Sequence, residues 1–244
     1  MMVPLEEGKV MPRADDAAAV IREGLGRLGT AERAERDRAY LRSDLTHLGV
    51  PVPDVRRTVT GARRDLGPFT REDTLRLAEL LWPGDVYEHR MAAVETLTAR
   101  AAVLLLPEDL AVVERYVRAS RTWALVDALA VHAVGAVVAR EPVSCGDTLD
   151  RWARDEDFWL RRTALLALIP GIRAGSPDLR RLSRYADAML DEREFFIRKA
   201  IGWVLRELSV RDPGFVAGWV RERRPRMSGL TYREAVRRLP ADAG

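Results

Sequence analysis

Four segments of the chain can be laid over one another at an almost constant interval, and this repetition limits the fold more than any other feature. They are YEHRMAAVETL (87–97), ALVDALAVHAV (124–134), WLRRTALLALI (159–169) and FIRKAIGWVLR (196–206). Each opens on a mostly apolar triplet, reaches a polar residue and continues apolar. The aligned polar positions are Arg90, Asp127, Arg162 and Lys199, spaced 37, 35 and 37 residues apart. Intervals of roughly 35–45 residues holding two helices each mark stacked helical repeats of the HEAT or armadillo kind, whose second helices line a concave surface. Equivalent positions then point the same way, so three cations and one anion share a groove. Two roles stay open for them. They form a polar ladder that satisfies neighbouring repeats, or a cationic groove suited to a phosphate backbone.

Between these segments the chain reads as amphipathic helices of 10–18 residues, broken by Pro, Gly and Asp at stretches such as WPGD (82–85), LPED (106–109) and VRDPG (210–214). No strand pattern is present. The expected fold is all-α: a right-handed α-solenoid of HEAT-like two-helix repeats with a concave DNA-binding groove. A single domain is expected over 1–244, with 1–13 as a flexible tail. At 47% hydrophobic and 32% charged, the composition excludes a disordered chain. No apolar run approaches the ~20 residues of a membrane span. The acidic N-terminus lacks an apolar signal core, which with the lone Cys145 predicts a cytoplasmic protein.

The three histidines (His47, His89, His132) and one cysteine leave almost no material for a metal site, so no metal and no organic cofactor are expected. GLGRLG (24–29) matches a dinucleotide fingerprint but follows a helical pattern rather than a strand, and is a decoy. Net charge is only +3, yet the basic residues are nearly all arginine, the side chain best shaped for phosphate. The chain has no Asn and no Gln, so the amide contact that reads adenine in the major groove is missing. DNA, if bound, is recognised through backbone and shape.

Trp123 and Asp127 lie four apart, on one face of an otherwise apolar helix. An indole packed beside a salt-bridged carboxylate is the structural reading. The functional reading is a site for developing positive charge, since a carboxylate stabilises a cation by charge and an indole face by its quadrupole. Trp203, on a later repeat helix, would complete such a cage, although its spacing from Lys199 also suits a core position.

RTWALVD, FWLRRTALLAL and above all REFFIRKAIGWVLRELSVRDPGFVAGWV resemble the AlkD-like DNA glycosylases, an alkylation-repair family built of HEAT-like repeats. The resemblance runs from about Tyr40 to LTYREAVRRL near the end. It implies a monofunctional glycosylase that removes cationic N3- or N7-alkylpurines from duplex DNA without flipping the base. One-to-one binding of a duplex in a groove asks for no partner subunit, so a monomer with no obligatory protein partner is expected. By resemblance Asp127 is the catalytic carboxylate, Trp123 and Trp203 flank it, Arg162 clamps a phosphate and Tyr40 matches a tyrosine near the start of the family domain. Arg90, Arg198, Lys199 and Arg206 are grouped with Tyr40 and Arg162 as DNA-binding residues. The sequence departs from the family at Ala124, often acidic in relatives, at Arg198, where relatives carry Gln, and in YLRSDLTHLGV, which lacks the usual aromatics. These changes open specialisation toward a bulky genotoxin adduct. The alternatives are a non-catalytic DNA- or protein-binding scaffold, and a glycosylase–lyase using Lys199 as a Schiff-base amine.

Overall fold

The computed structural model describes residues 13–239, all of whose regular structure is helical; one isolated bridge, Thr46 to Val86, is the nearest thing to a strand among them. The tail expected over 1–13 lies outside the described residues except Arg13, which opens the first helix. The described residues gather into two compact units. One comprises residues up to 37 together with 46–96, the other 38–45 together with 97 onward.

The first unit holds α1 (Arg13–Leu28), most of α2 (Ala31–Leu41), α3 (Val52–Asp65), α4 (Arg71–Leu81) and most of α5 (Tyr87–Thr98). α1 buries Ala14, Ala17, Ala18, Ile21 and Leu25, a stripe at helical spacing, and packs on α3 and α4. The GLGRLG stretch is the C-terminal part of α1 and the residue after it, so no strand or phosphate loop is present there. α4 starts at a reciprocal cap, in which Thr70 accepts from the Asp73 amide and Asp73 from the Thr70 amide. The fully buried Glu88 carboxylate accepts from the Leu48, Gly49 and Val50 amides at 2.7–3.2 Å, satisfying a loop that would otherwise bury bare N–H groups.

The second unit contains α6 (Ala101–Leu104), α7 (Leu110–Ala119), α8 (Trp123–Ala128), α9 (Gly135–Arg140), α10 (Gly146–Trp152), α11 (Phe158–Leu166), α12 (Ile169–Arg173), α13 (Leu179–Met189), α14 (Phe195–Ser209), α15 (Pro213–Arg223) and α16 (Gly229–Val236). A π-helical turn, Leu129–Val134, joins α8 to α9 into one continuous helix, Trp123–Arg140. In chain order these elements fall into four successive pairs: α7 with α8–α9, α10 with α11–α12, α13 with α14, and α15 with α16. The second members start at 123, 158, 195 and 229 and pack in series, α8–α9 against α11, α11 against α14, α14 against α16. The repeat inferred from the sequence is therefore the packing unit here. Close approach depends on two glycines. A methyl on Gly135 would meet the Pro170 ring at 2.7 Å, and one on Gly202 would meet Glu234 Cβ at 2.5 Å.

The first members of the pairs carry a ladder with the same period. Glu114 on α7 accepts from Arg151 and from the Trp152 indole on α10, Asp150 pairs with Arg184 and Tyr185 on α13, and Asp187 pairs with Arg223 on α15. Each acid reaches the arginine or tyrosine one repeat on. The Arg151 guanidinium, with help from Trp152 and Arg118, holds the Glu114 carboxyl at about 2 against the opposing effect of burial. An unfolded Glu titrates near pH ~4.3, so the stability this contact contributes is complete above that pH and lost as pH falls through about 2. Glu114→Gln should lower stability at pH 7 by about 1–3 kcal/mol. In urea unfolding series the gap to wild type should close as pH approaches 2.5; a gap independent of pH would show that the charge contributes nothing.

Candidate active site

A cavity of about 770 Å³ in the second unit is lined from five segments: residues 40–42, the start of α8, α11, α14 and the region of α16. Each side chain is aimed by local structure. Thr122 is extended (φ −152°, ψ 143°) and α8 starts directly after it, so Trp123 and Asp127, one helical turn apart, both line the cavity. Asp157 caps α11 by accepting from the Trp159 amide, setting Trp159 and Arg162 on the cavity side. Glu194 caps α14 through the Phe196 amide. From there Phe195, Phe196, Lys199, Trp203 and Arg206 follow at helical spacing into the same space.

At the centre is an ion pair. Arg162 donates from Nε and Nη2 to the two Asp127 oxygens, both at 2.7 Å, and from Nη1 to the Phe196 carbonyl at 2.5 Å. Its guanidinium also lies 5.7 Å from the centre of the Phe196 ring. Arg162 is 2% exposed, whereas the Asp127 side chain keeps 14%. The fork fixes both carboxylate oxygens while leaving the anion open on the cavity side. The guanidinium expected to clamp a phosphate thus has all three of its nitrogens engaged within the protein.

Aromatic rings wall the carboxylate. Trp123 meets the edge of Tyr40, itself 73% exposed, at 5.9 Å between centroids. Trp159 packs on Phe196 at 4.8 Å. Trp203 donates its indole N–H to Glu207 at 3.2 Å, and Glu207 takes Arg173 Nε on its other oxygen at 2.9 Å. Burial alone would raise the Glu207 carboxyl, but Arg173 and the indole hold it below its usual range. Trp203 is thus locked in orientation rather than packed as a plain core residue. Cations supply the rim. Lys199 Nζ sits 5.8 Å over the exposed Phe195 ring, Arg206 is paired with Glu234, and Arg42, Arg121 and Arg237 line the same space.

Of the nine residues singled out from the sequence, seven line the cavity: Asp127, Trp123, Trp203, Tyr40, Arg162, Lys199 and Arg206. Arg198 does not; its Nε donates to the Glu192 carbonyl at 2.8 Å. Arg90 does not either. It lies in the first unit, nearly buried, donating to the Gly84 carbonyl at 3.0 Å and covering Trp82 at 5.4 Å. The residues missed were Trp159, Phe195 and Phe196, each three or four positions before a noted cation on the same helix face, a spacing that could have found them. Arg42 and Arg121 had no such signal, because their left-handed backbone (φ 48° and 58°) is invisible in a non-glycine residue.

Among solved structures the fold is similar to a predicted DNA alkylation repair enzyme from Enterococcus faecalis, with a TM-score of 0.78 and 24% identity over 87% of this chain and 97% of that one. It is also similar to AlkD2 from Streptococcus mutans (TM-score 0.58, 18% identity, 85% and 100% of the two chains). A third similar structure is smu.31 from Streptococcus mutans UA159 (TM-score 0.57, 18% identity, 90% and 100%). No curated protein sequence matches significantly. The family model described as DNA alkylation repair enzyme matches residues 21–239, nearly the whole chain, and the protein belongs to that family.

Proposed function

We propose that this DNA repair protein is a monofunctional glycosylase that hydrolyses the N-glycosidic bond of cationic N3- and N7-alkylpurines in duplex DNA, one chain per lesion. The observation that carries the reading is the placement of Asp127: a carboxylate held by a buried fork, open on one side to a cavity walled by Trp123, Trp159 and Trp203. An alkylated purine carries positive charge and leaves readily. The C1′–N bond breaks with its electron pair going to the base, which departs neutral, and positive charge develops on the deoxyribose. Asp127 lies where that charge is stabilised, the indoles offer their electron-rich faces to it, and a water attacking C1′ loses its proton to bulk solvent as the sugar hydroxyl forms. Preorganised groups of this kind are worth roughly 3–4 kcal/mol each. Arg162 keeps the carboxylate oriented, so no reorganisation is needed when the charge appears.

The cavity volume of about 770 Å³ supports extending the proposal to bulky adducts, since little of that space is needed beside a base that stays stacked. Single-turnover excision from duplexes carrying either N7-methylguanine or a bulky N7 adduct tests this. Faster release of the bulky base supports specialisation; equal or faster release of the methylated base removes it and leaves the glycosylase. The scaffold reading has one observation in its favour. Asp127 to Arg162 spans one repeat, as the Glu114, Asp150 and Asp187 contacts do, and those are plainly structural. What sets the inner rung apart is the aromatic cavity it faces. Lys199 lines that cavity as well, and borohydride trapping on abasic DNA, lost in Lys199→Arg, would move the reading to a glycosylase–lyase.

A further inference from the structure

With Arg162 engaged by Asp127, another corner of the cavity has the chemistry to hold the backbone of the reacting strand. Thr122 lines the cavity, is 2% exposed, and its hydroxyl has no hydrogen-bond partner among the described residues. It stands at the cap position of α8 yet makes no cap, and the first turn of α8 has no acidic residue, so neither a side-chain cap nor a first-turn carboxylate neutralises that helix start. The helix that begins there runs 18 residues to Arg140, long enough to present a full positive end. Two arginines close the corner. Arg121 precedes Thr122 directly and is fixed by Asp44, its Nε at 2.8 Å from Oδ1. Arg42 is exposed, makes no ion pair among the described residues, and lines the same cavity.

We propose that Thr122, the start of α8, Arg42 and Arg121 together form a phosphate site that holds one of the two backbone phosphates of the lesion nucleotide. The chemistry is that of helix-start anion binding, in which N–H groups, a hydroxyl and the helix dipole converge on one anion. It follows from the glycosylase reading that the deoxyribose then lies between this phosphate and Asp127, one turn further along the same helix. The unsatisfied hydroxyl is the decisive feature. Leaving a buried donor unpaired is unfavourable to the free protein, and a phosphate oxygen satisfies it only in the complex.

The test is a binding measurement that needs no chemistry. Duplexes with a stable abasic-site analogue each carry one neutral methylphosphonate at a different position around the lesion. Affinities are measured for wild type, Thr122→Val and Arg42→Ala. Thr122→Val should bind the all-phosphate duplex about tenfold more weakly, and Arg42→Ala should reduce the salt dependence by about one phosphate contact. One methylphosphonate, at a phosphate of the lesion nucleotide, should weaken wild type similarly and erase the difference between wild type and Thr122→Val. Because Thr122→Val deletes an unsatisfied hydroxyl, it should melt no lower than wild type; a lower melting point would make the hydroxyl structural and overturn the site. Wild-type affinity in Thr122→Val, or a loss that persists on every methylphosphonate duplex, would overturn it too. Base release is scored separately: a wild type that shows the phosphate effect but excises nothing would overturn the glycosylase and keep the phosphate site.

Discussion

Asp127→Asn should slow release of N7-methylguanine from duplex DNA by roughly 10²–10³-fold, with duplex binding little changed. The amide keeps the shape of the carboxylate and one oxygen for the Arg162 fork. It loses the charge that opposes the cation forming on the sugar, and it turns an N–H₂ toward a guanidinium that has only donors. The second effect follows from this mismatch: one Arg162 N–H is left unpaired in a nearly closed site, so a stability loss of about 1–3 kcal/mol accompanies the rate loss. Rate and melting temperature measured on the same preparation separate the two. A variant that melts lower but excises at the wild-type rate would assign Asp127 to the ladder alone.

Arg162 is the second residue with a large expected effect. Arg162→Ala should lower stability by about 3–5 kcal/mol, the usual result of leaving one member of a buried pair without its partner. In a chain of this size that is roughly a 10 °C fall in melting temperature. Arg162→Lys retains the charge but cannot make the two parallel bonds to Asp127 or reach the Phe196 carbonyl as well. It should fold, and should lose base release by at least tenfold while the salt dependence of DNA binding stays unchanged. An Arg162 that clamped phosphate would behave in the opposite way, with the salt slope falling by about one and chemistry on saturating DNA nearly intact.

The helix pairs of the second unit were legible because the same physical requirement recurs in each: an apolar face at helical spacing with one polar position kept in register. That register located Asp127, Arg162 and Lys199 on one cavity. For Arg90 the alignment fixes the helix face but not what that face meets. Arg90 is engaged by Gly84 and Trp82 in its own unit. The Trp123–Asp127 pair was visible as a departure from an apolar pattern, whereas the Glu207 carboxylate that holds the Trp203 indole was not legible in the sequence. Arg162 was assigned to phosphate by resemblance, and its fork to Asp127 was not legible because the partner lies 35 residues away. The π-helical turn at Leu129–Val134 leaves no trace in an apolar run, because alanine, leucine and valine serve either geometry. The left-handed Arg42 and Arg121 are hidden for a related reason: their backbone is set by the contacts around them, not by their own preference.

The most direct measurement is product analysis after a single-turnover incubation of the wild-type protein with duplex DNA bearing one N7-methylguanine. The account predicts free methylated base in stoichiometric yield and an intact strand that breaks only on alkali treatment, with no metal or cofactor added. Folded protein that binds this duplex, and one with a bulky N7 adduct, yet releases base from neither, would contradict it.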